Sequence, residues 1–243
     1  MEVWPGMFVL QIDIMIQILP VADIYKEEIV IDDNFGQRQE GWETVESDTE
    51  SAFFKMGRYI MENKTDDTWN YYHKELPNNL GDNFIIKAEL EVVENNKGFG
   101  QYGLVWGFDE ASRSLNKFVV SSEEQSFVVS SFERNHSFQK HRFSDLFFNY
   151  NTSGNKQFFS ILKLEGYYYF FVNKYDRPNY VVHASHLPMF GNRFGFYIEP
   201  GLKMVCESIT VKKLFVNPKF DGHIWMPVGE DLMPIGSVLL RGN

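Results

Sequence analysis

The chain has 243 residues, of which 44% are hydrophobic and 16% aromatic, and its formal net charge is −10. This length and apolar share are enough for one large β-domain. The acidic balance disfavours a nucleic acid or an anionic membrane surface as partner, because both attract a positively charged footprint. The single cysteine, Cys206, excludes an intramolecular disulfide, and we predict that it packs in a strand as a small apolar residue.

No secretion signal is recognisable at the amino terminus. The first residues lack a basic region, and Gln11, Asp13 and Gln17 interrupt the apolar run that follows. No other stretch is long and apolar enough to span a bilayer. We therefore expect no membrane insertion and, by default, a cytoplasmic location.

Residues 7–19 alternate between isoleucines and polar side chains, which predicts a strand with one wet face. This strand is either an added edge strand or an extension outside the sandwich. Further alternating segments, separated by turn residues, predict strands at 29–31, 51–62 (a hairpin), 69–74, 84–93, 98–108, 115–121, 126–132, 135–143, 157–164, 167–172, 180–183, 193–198 and 204–215. From residue 217 onward, recurring proline and glycine predict a surface tail or a linker.

Short strands at roughly ten-residue spacing are typical of an all-β sandwich or barrel. The pattern divides the chain into an N-terminal extension over 1–28, a sandwich over 29–215 and a tail over 216–243. The segment 84–93 shows the alternation most clearly. Its inward positions are predicted to be Phe84, Ile86, Ala88, Leu90 and Val92.

Several short motifs occur in a family-like order along the chain. They are Asp33-Asn34-Phe35, Gly57-Arg58-Tyr59-Ile60, Phe84 to Leu90, Gly103-Leu104-Val105-Trp106-Gly107, Tyr169 to Asn173, Phe190 to Phe196 and Ile209 to Lys213. Together they resemble the concanavalin A-like lectin/glucanase superfamily, and within it the laminin-G-like or 3-keto-disaccharide-hydrolase-like domains. The resemblance covers about residues 29–215. It implies a two-sheet antiparallel jelly-roll β-sandwich whose concave sheet is often used for sugars or partner proteins.

Aromatic residues on predicted strands are the main candidates for ligand binding. Sugar rings stack on aromatic faces, so a wet sheet that carries Trp and Tyr suits a glycan. The candidates are Trp69, Tyr71, Trp106, Tyr167 and Tyr169. The ordinary alternative is that these rings fill the interior of the sandwich.

Retaining glucanases of this superfamily carry carboxylates two residues apart on one strand, and the nearest match here is Glu89 and Glu91. Retaining hydrolysis needs two close carboxyl groups, one of them with a raised pKa. These two residues lie on the polar side of an amphipathic strand, so we interpret them as solvated, and the sequence identifies no catalytic residue.

Two groups of residues resemble metal ligands. His183 and His186 are three apart, but no carboxylate or cysteine completes a set near them. Asp32, Asp33 and Asn34 offer oxygen ligands for calcium, as the rim acids of laminin-G-like domains do. Turn formation is the competing explanation for this acidic cluster.

The leading hypothesis is a non-catalytic recognition module that binds a carbohydrate or a protein partner on its concave sheet. A glycoside hydrolase of the same superfamily is the first alternative. A structural domain of a larger assembly is the second, and it predicts an exposed apolar patch near the two ends of the chain.

Overall fold

The computed structural model describes residues 25–36, 40–77, 80–98, 100–121, 126–133, 140–143, 156–173 and 178–216. All structural statements below concern these residues. The predicted strand at 7–19, the rest of the N-terminal extension before residue 25 and the tail after residue 216 lie outside them.

The described residues form fifteen strands and one short 3-10 helix at Ala184–His186. The strands are β1 (Tyr25–Asp33), β2 (Val45–Glu46), β3 (Glu50–Lys55), β4 (Arg58–Asn63), β5 (Asn70–Glu75), β6 (Phe84–Asn95), β7 (Gln101–Asp109), β8 (Ser114–Ser121), β9 (Ser126–Phe132), β10 (Lys140–Phe143), β11 (Lys156–Leu164), β12 (Tyr167–Val172), β13 (Tyr180–His183), β14 (Arg193–Ile198) and β15 (Leu202–Val216).

The strands are arranged in two antiparallel sheets. The nine-stranded sheet has the order β13-β12-β11-β6-β15-β4-β3-β2, with β1 also paired to β15. The six-stranded sheet has the order β10-β9-β8-β7-β14-β5, so β5 forms one of its edges. Strands that are far apart in sequence, such as β5 and β14, therefore become neighbours.

The core lies between the two sheets and is rich in aromatic rings. Alternate residues of each strand enter it, because successive side chains of a strand point to opposite faces. On β6 these are Phe84, Ile86, Ala88 and Leu90, all buried as predicted, while Val92 is only partly buried. The six-stranded sheet contributes Tyr72, Leu104, Trp106, Phe118, Val129, Phe194 and Phe196, among others.

The strand predictions agree with the structure over most of the described residues. The hairpin at 51–62, the pair β11–β12 and the strands β9, β13 and β14 are confirmed within a residue or two. The strand predicted at 29–31 begins earlier, at Tyr25, and the two-residue strand β2 was not predicted. The fold class is therefore the predicted two-sheet antiparallel β-sandwich.

Cys206 is fully buried in β15, as predicted, and burial raises the pKa of its thiol well above the usual range. A thiol in this environment stays protonated and packs as an apolar group. Within the described ranges, no helix has the length and apolarity that a membrane crossing requires.

Candidate functional site

The outer face of the six-stranded sheet, the face turned away from the core, carries an unusual mixture of rings and charges. On the edge strand β5 it presents Tyr71, His73 and Glu75, because Tyr72 points into the core. On the neighbouring β14 the same face carries Arg193 and Tyr197. The register pairs Tyr197 with Tyr71 and Arg193 with Glu75, so the two rows lie side by side.

A β-bulge brings one more ring onto this face. The pairing of β7 shifts at Gly107, whose φ is +63°, and Phe108 becomes the partner of Arg193. Without the bulge, Phe108 would follow Trp106 into the core. The extra residue re-aims Phe108 outward, which is the usual effect of a bulge beside a functional site.

Three rings meet there. The ring of Phe108 lies 5.1 Å from the ring of Tyr71 and 5.1 Å from the ring of His73, measured between centroids. Phe108 is buried, whereas Tyr71 and His73 are partly exposed. The arrangement is a small aromatic platform with two accessible edges.

Arg193 lies beside this platform, between two carboxylates. Its guanidinium is 3.8 Å from Glu75 Oε1 and is hydrogen-bonded to Glu110 Oε2. The Arg193 side chain is 23% exposed, but those of Glu75 and Glu110 are 69% and 68% exposed. The cation is therefore held in place, while both carboxylates remain free to accept hydrogen bonds from a ligand.

Two adjoining clefts, of about 420 Å³ and 450 Å³, open around Arg193. Both are lined by Arg193 and by Glu75. Their other lining residues are Phe108, Asp109, Glu110, Ala111 and Asn192 in the first cleft and Gly41, Trp42, Glu43, His73 and Lys74 in the second. We call the two together the Arg193 cleft. Their volumes are in the range of small-molecule sites.

In the second cleft, the pKa values of two lining side chains are shifted. Partial desolvation, helped by the neighbouring Glu50 and Glu110 carboxylates, raises the pKa of Glu43 above its ordinary value of 4.5, and Arg193 opposes this shift. Desolvation and then the positive charge of Arg193 lower the pKa of His73 below 6.5. His73 is therefore a neutral ring at pH 7.

A polar network continues the same face beyond the platform. Glu199 accepts hydrogen bonds from the Gln101 backbone N–H at 2.7 Å and from the Tyr197 hydroxyl at 3.3 Å. The Lys117 ammonium lies 4.3 Å from the centre of the Tyr197 ring and donates to Gln101 Oε1 at 3.2 Å. Burial and Glu199 raise the pKa of Tyr197, so its hydroxyl stays protonated.

The structure separates the aromatic residues that the sequence singled out. Trp69, 50% exposed, directly precedes β5, and Tyr71 belongs to the aromatic platform. Trp106 is fully buried, with its ring 5.7 Å from that of Tyr168, so it belongs to the core. Tyr167 and Tyr169 lie on the other sheet, in an apolar cluster on its outer face.

The acidic cluster predicted for calcium has protein partners. Asp33 Oδ2 accepts hydrogen bonds from Trp42 Nε1 at 2.6 Å and from Lys74 Nζ at 3.0 Å, and the Asp33 side chain is 6% exposed. Asp32 accepts from Thr210. Asn34 Oδ1 accepts from the backbone N–H of Gly36, as in an Asx turn. Among the described residues no group of three His, Cys, Asp or Glu side chains gathers as a metal site would, and calcium binding stays a prediction.

The other weighed residues have ordinary surroundings. Glu89 forms an ion pair with Lys156 at 2.9 Å on the outer face of the nine-stranded sheet. His183 caps the 3-10 helix by accepting from the Ser185 backbone N–H at 3.2 Å. Neither Glu89 nor His183 lines the Arg193 cleft.

Of the residues in the Arg193 cleft and in the aromatic platform, the sequence singles out Tyr71 alone as a binding candidate. A signal for His73 was present, since it alternates with Tyr71 along the strand predicted at 69–74. Arg193 and Phe108 gave no such signal, because their positions depend on the pairing of distant strands and on the bulge.

The comparisons with known proteins concern the fold. No family model matches the chain, and no curated protein matches its sequence. Among solved structures, a protein of unknown function with a galectin-like fold from Bacillus subtilis is similar with a TM-score of 0.54 and 14% identity, over 80% of this chain and 100% of that chain. The fold of this chain is the concanavalin A-like jelly roll.

Two other jelly rolls indicate what this fold supports. The carbohydrate-binding module CBM66 of Bacillus subtilis has a TM-score of 0.50 and 13% identity, over 71% of this chain and 95% of that chain. The laminarinase catalytic domain of Thermotoga maritima has a TM-score of 0.51 and 10% identity, over 77% of this chain and 98% of that chain. The same jelly roll thus occurs in a binding module and in a hydrolase, and only the site distinguishes the two.

Proposed function

We propose that this jelly roll is a carbohydrate-recognition module, and that the Arg193 cleft with its aromatic platform holds the glycan. The observation that carries the proposal is the contact of Tyr71, His73 and Phe108 beside Arg193 and its two exposed carboxylates. The apolar face of a sugar ring packs on aromatic rings, and its hydroxyls bond to charged and amide groups.

The occurrence of the fold in the carbohydrate-binding module CBM66 supports this proposal. The outward-facing positions of the central strands give a second argument. On β7, β8 and β9 these positions carry Gln101, Gly103, Val105, Phe108, Leu115, Lys117, Val119, Ser121, Ser126, Val128, Ser130 and Phe132, without a carboxylate. A retaining hydrolase needs two carboxyl groups about 5 Å apart across the scissile bond. The outward positions of these three strands supply no such pair, which supports recognition over hydrolysis.

A glycan array followed by calorimetry tests the proposal. We expect the chain to bind at least one glycan, and His73→Ala to weaken that binding by about tenfold, because it removes one ring of the platform. Lys156→Ala, on the opposite sheet, is the matched control and should bind as the unaltered chain does. An empty array would refute the proposal, and a protein captured instead would favour the predicted protein partner.

A glycoside hydrolase is the second candidate, and one observation favours it. Glu43 has a raised pKa near other carboxylates, which is how a general acid is prepared. Incubation with β-1,3-glucan and measurement of new reducing ends tests this candidate. Hydrolysis that disappears in Glu43→Gln would establish the enzyme, and intact glucan at high protein concentration would leave recognition as the function.

A further inference from the structure

The aromatic platform is one part of a longer row on the edge strand β5. Side chains two residues apart on a strand share a face and are separated by about 6.8 Å. Tyr71, His73 and Glu75 follow this spacing on β5, and the half-exposed Trp69 lies two residues before Tyr71, directly outside the strand. At about 3.4 Å per residue, the six residue steps from Trp69 to Glu75 extend over at most roughly 20 Å, which is longer than one sugar ring.

The surroundings of the row leave room for a chain-like ligand. Among the described strands β5 is an edge strand, so no other described strand borders it on one side. On the other side, Gly195 of β14 pairs with His73. A Cβ at Gly195 would lie 2.0 Å from the Tyr72 carbonyl oxygen, so this position has to remain without a side chain. The row is therefore open beside His73.

The negative charge of the Arg193 cleft disfavours acidic ligands. The Arg193 cleft carries the carboxylates of Glu43, Glu75 and Glu110, whereas Arg193 is already bonded to Glu110 and lies near Glu75. Lys74, the other cation of the cleft, is paired with Asp33. The uncompensated negative charge of the cleft would repel an acidic sugar such as a uronic acid, and it would not repel a neutral sugar.

We propose that the ligand is a neutral oligosaccharide of three or more units that lies along β5, in contact with Trp69, Tyr71 and His73 in turn. This inference rests on the proposed function and adds the length, the charge and the direction of the glycan. Polar groups stand at both ends of the row, Glu75 and Glu110 at one end and Glu199 near the other, where they meet the hydroxyls of the terminal units.

The test measures affinity against ladders of one to six units, made from β-1,3-glucan, β-1,4-glucan and every glycan retained on the array. Affinity should rise with length up to three or four units and then stay constant. A uronic-acid ladder of the same lengths should bind more weakly. Trp69→Ala should reduce the affinity for trisaccharides and longer chains by about tenfold and leave mono- and disaccharides unchanged.

Phe132→Ala is the control, because Phe132 is also an exposed aromatic residue of this sheet, at 43%, but lies on β9. Trp69→Phe keeps a ring and should restore most of the affinity. Binding that is independent of length, or equal in Trp69→Ala and Phe132→Ala, would overturn this inference and leave the proposed function standing. If no glycan binds at all, both fail.

Discussion

The two outer faces of the sandwich hold their charged side chains in different surroundings. The outer face of the nine-stranded sheet carries, beside its apolar cluster, ion pairs whose side chains are between 21% and 50% exposed. This charge ladder consists of Lys156 with Glu89 and Glu207, Arg58 with Glu207, and Lys203 with Glu62 and Glu94. On the six-stranded sheet, the Arg193 cation lies beside aromatic rings and is 23% exposed, while its partners Glu75 and Glu110 are 69% and 68% exposed.

The difference shows which face is suited to a ligand. Every cation of the charge ladder has a nearby carboxylate, so the ladder keeps the sheet soluble and offers little affinity. In the Arg193 cleft, desolvation is the first cause of the shifted pKa values of Glu43 and His73. In the charge ladder, hydrogen bonds between the paired charges are the first cause of the shifted pKa values of Lys156, Lys203 and Glu207. Shifted pKa values in a cleft are characteristic of functional sites.

The largest effect on stability is expected at the buried pair of Asp33 and Lys74, which lies on the core side of β5 beside the Arg193 cleft. Asp33→Ala leaves the Lys74 ammonium, 18% exposed, without its carboxylate and removes the acceptor of the Trp42 N–H. Breaking such a pair from one side costs about 3 kcal/mol.

Glu94→Ala is the matched change in the charge ladder, because Lys203 keeps Glu62 as a partner. It should lower the free energy of unfolding by less than about 1 kcal/mol. Urea unfolding of both variants measures the contrast. Equal costs for the two variants would show that burial does not set the cost of breaking an ion pair in this protein.

The next largest effect concerns the bulge that orients Phe108. Gly107→Ala forces a side chain onto a φ of +63° and brings its Cβ to 3.2 Å from Met189. The left-handed conformation alone costs about 1 to 2 kcal/mol. Gly98→Ala is the control, since Gly98 has a φ of +74° and open space around its Cβ position.

Thermal unfolding measures how much stability each substitution removes. The additional loss in Gly107→Ala, compared with Gly98→Ala, reports the packing of the bulge against Met189. We expect Gly107→Ala to weaken glycan binding as well, because Phe108 moves with the bulge, and Gly98→Ala to leave binding unchanged. Equal effects of the two substitutions on stability and on binding would contradict this role of the bulge.

The smallest effect is a pH dependence at Glu43. Because its folded-state pKa lies above the ordinary 4.5, the stability that Glu43 contributes is present below pH 4.5 and is lost as the pH rises through the folded-state pKa. Glu43→Gln should therefore raise the free energy of unfolding at pH 7 and leave it unchanged at pH 4.

Urea unfolding at several pH values checks this sign, with Glu94→Gln as the control from the charge ladder. A Glu43→Gln variant that is less stable than the unaltered chain at pH 7 would show that the carboxylate is favoured there, contrary to the proposed environment.

The sequence was sufficient for the strands, because two-residue alternation is a local property. It was not sufficient to say which face of a strand is buried. Val105 and Val119, on the outer face of the six-stranded sheet, are as buried as Trp106 on the inner one. Because β7 has apolar residues on both faces, the sequence marks Trp106 as a candidate for ligand binding, although the Trp106 ring fills the core.

The candidate site was only partly predictable for a related reason. Tyr71 and Trp69 lie on or next to one strand, and their alternation marks that strand as a binding candidate. The Arg193 cleft also needs the pairing of β5 with β14 and the extra residue at Gly107. Both depend on contacts between segments that are more than a hundred residues apart or on local backbone conformation, which composition and periodicity do not encode.

A crystal structure of the chain with the best-bound oligosaccharide tests the central claim most directly. We predict that sugar rings pack on Tyr71 and His73 and that sugar hydroxyls lie within hydrogen-bond distance of Glu75 or Glu110. A glycan bound on the charge ladder of the nine-stranded sheet, with the Arg193 cleft filled only by solvent, would contradict it.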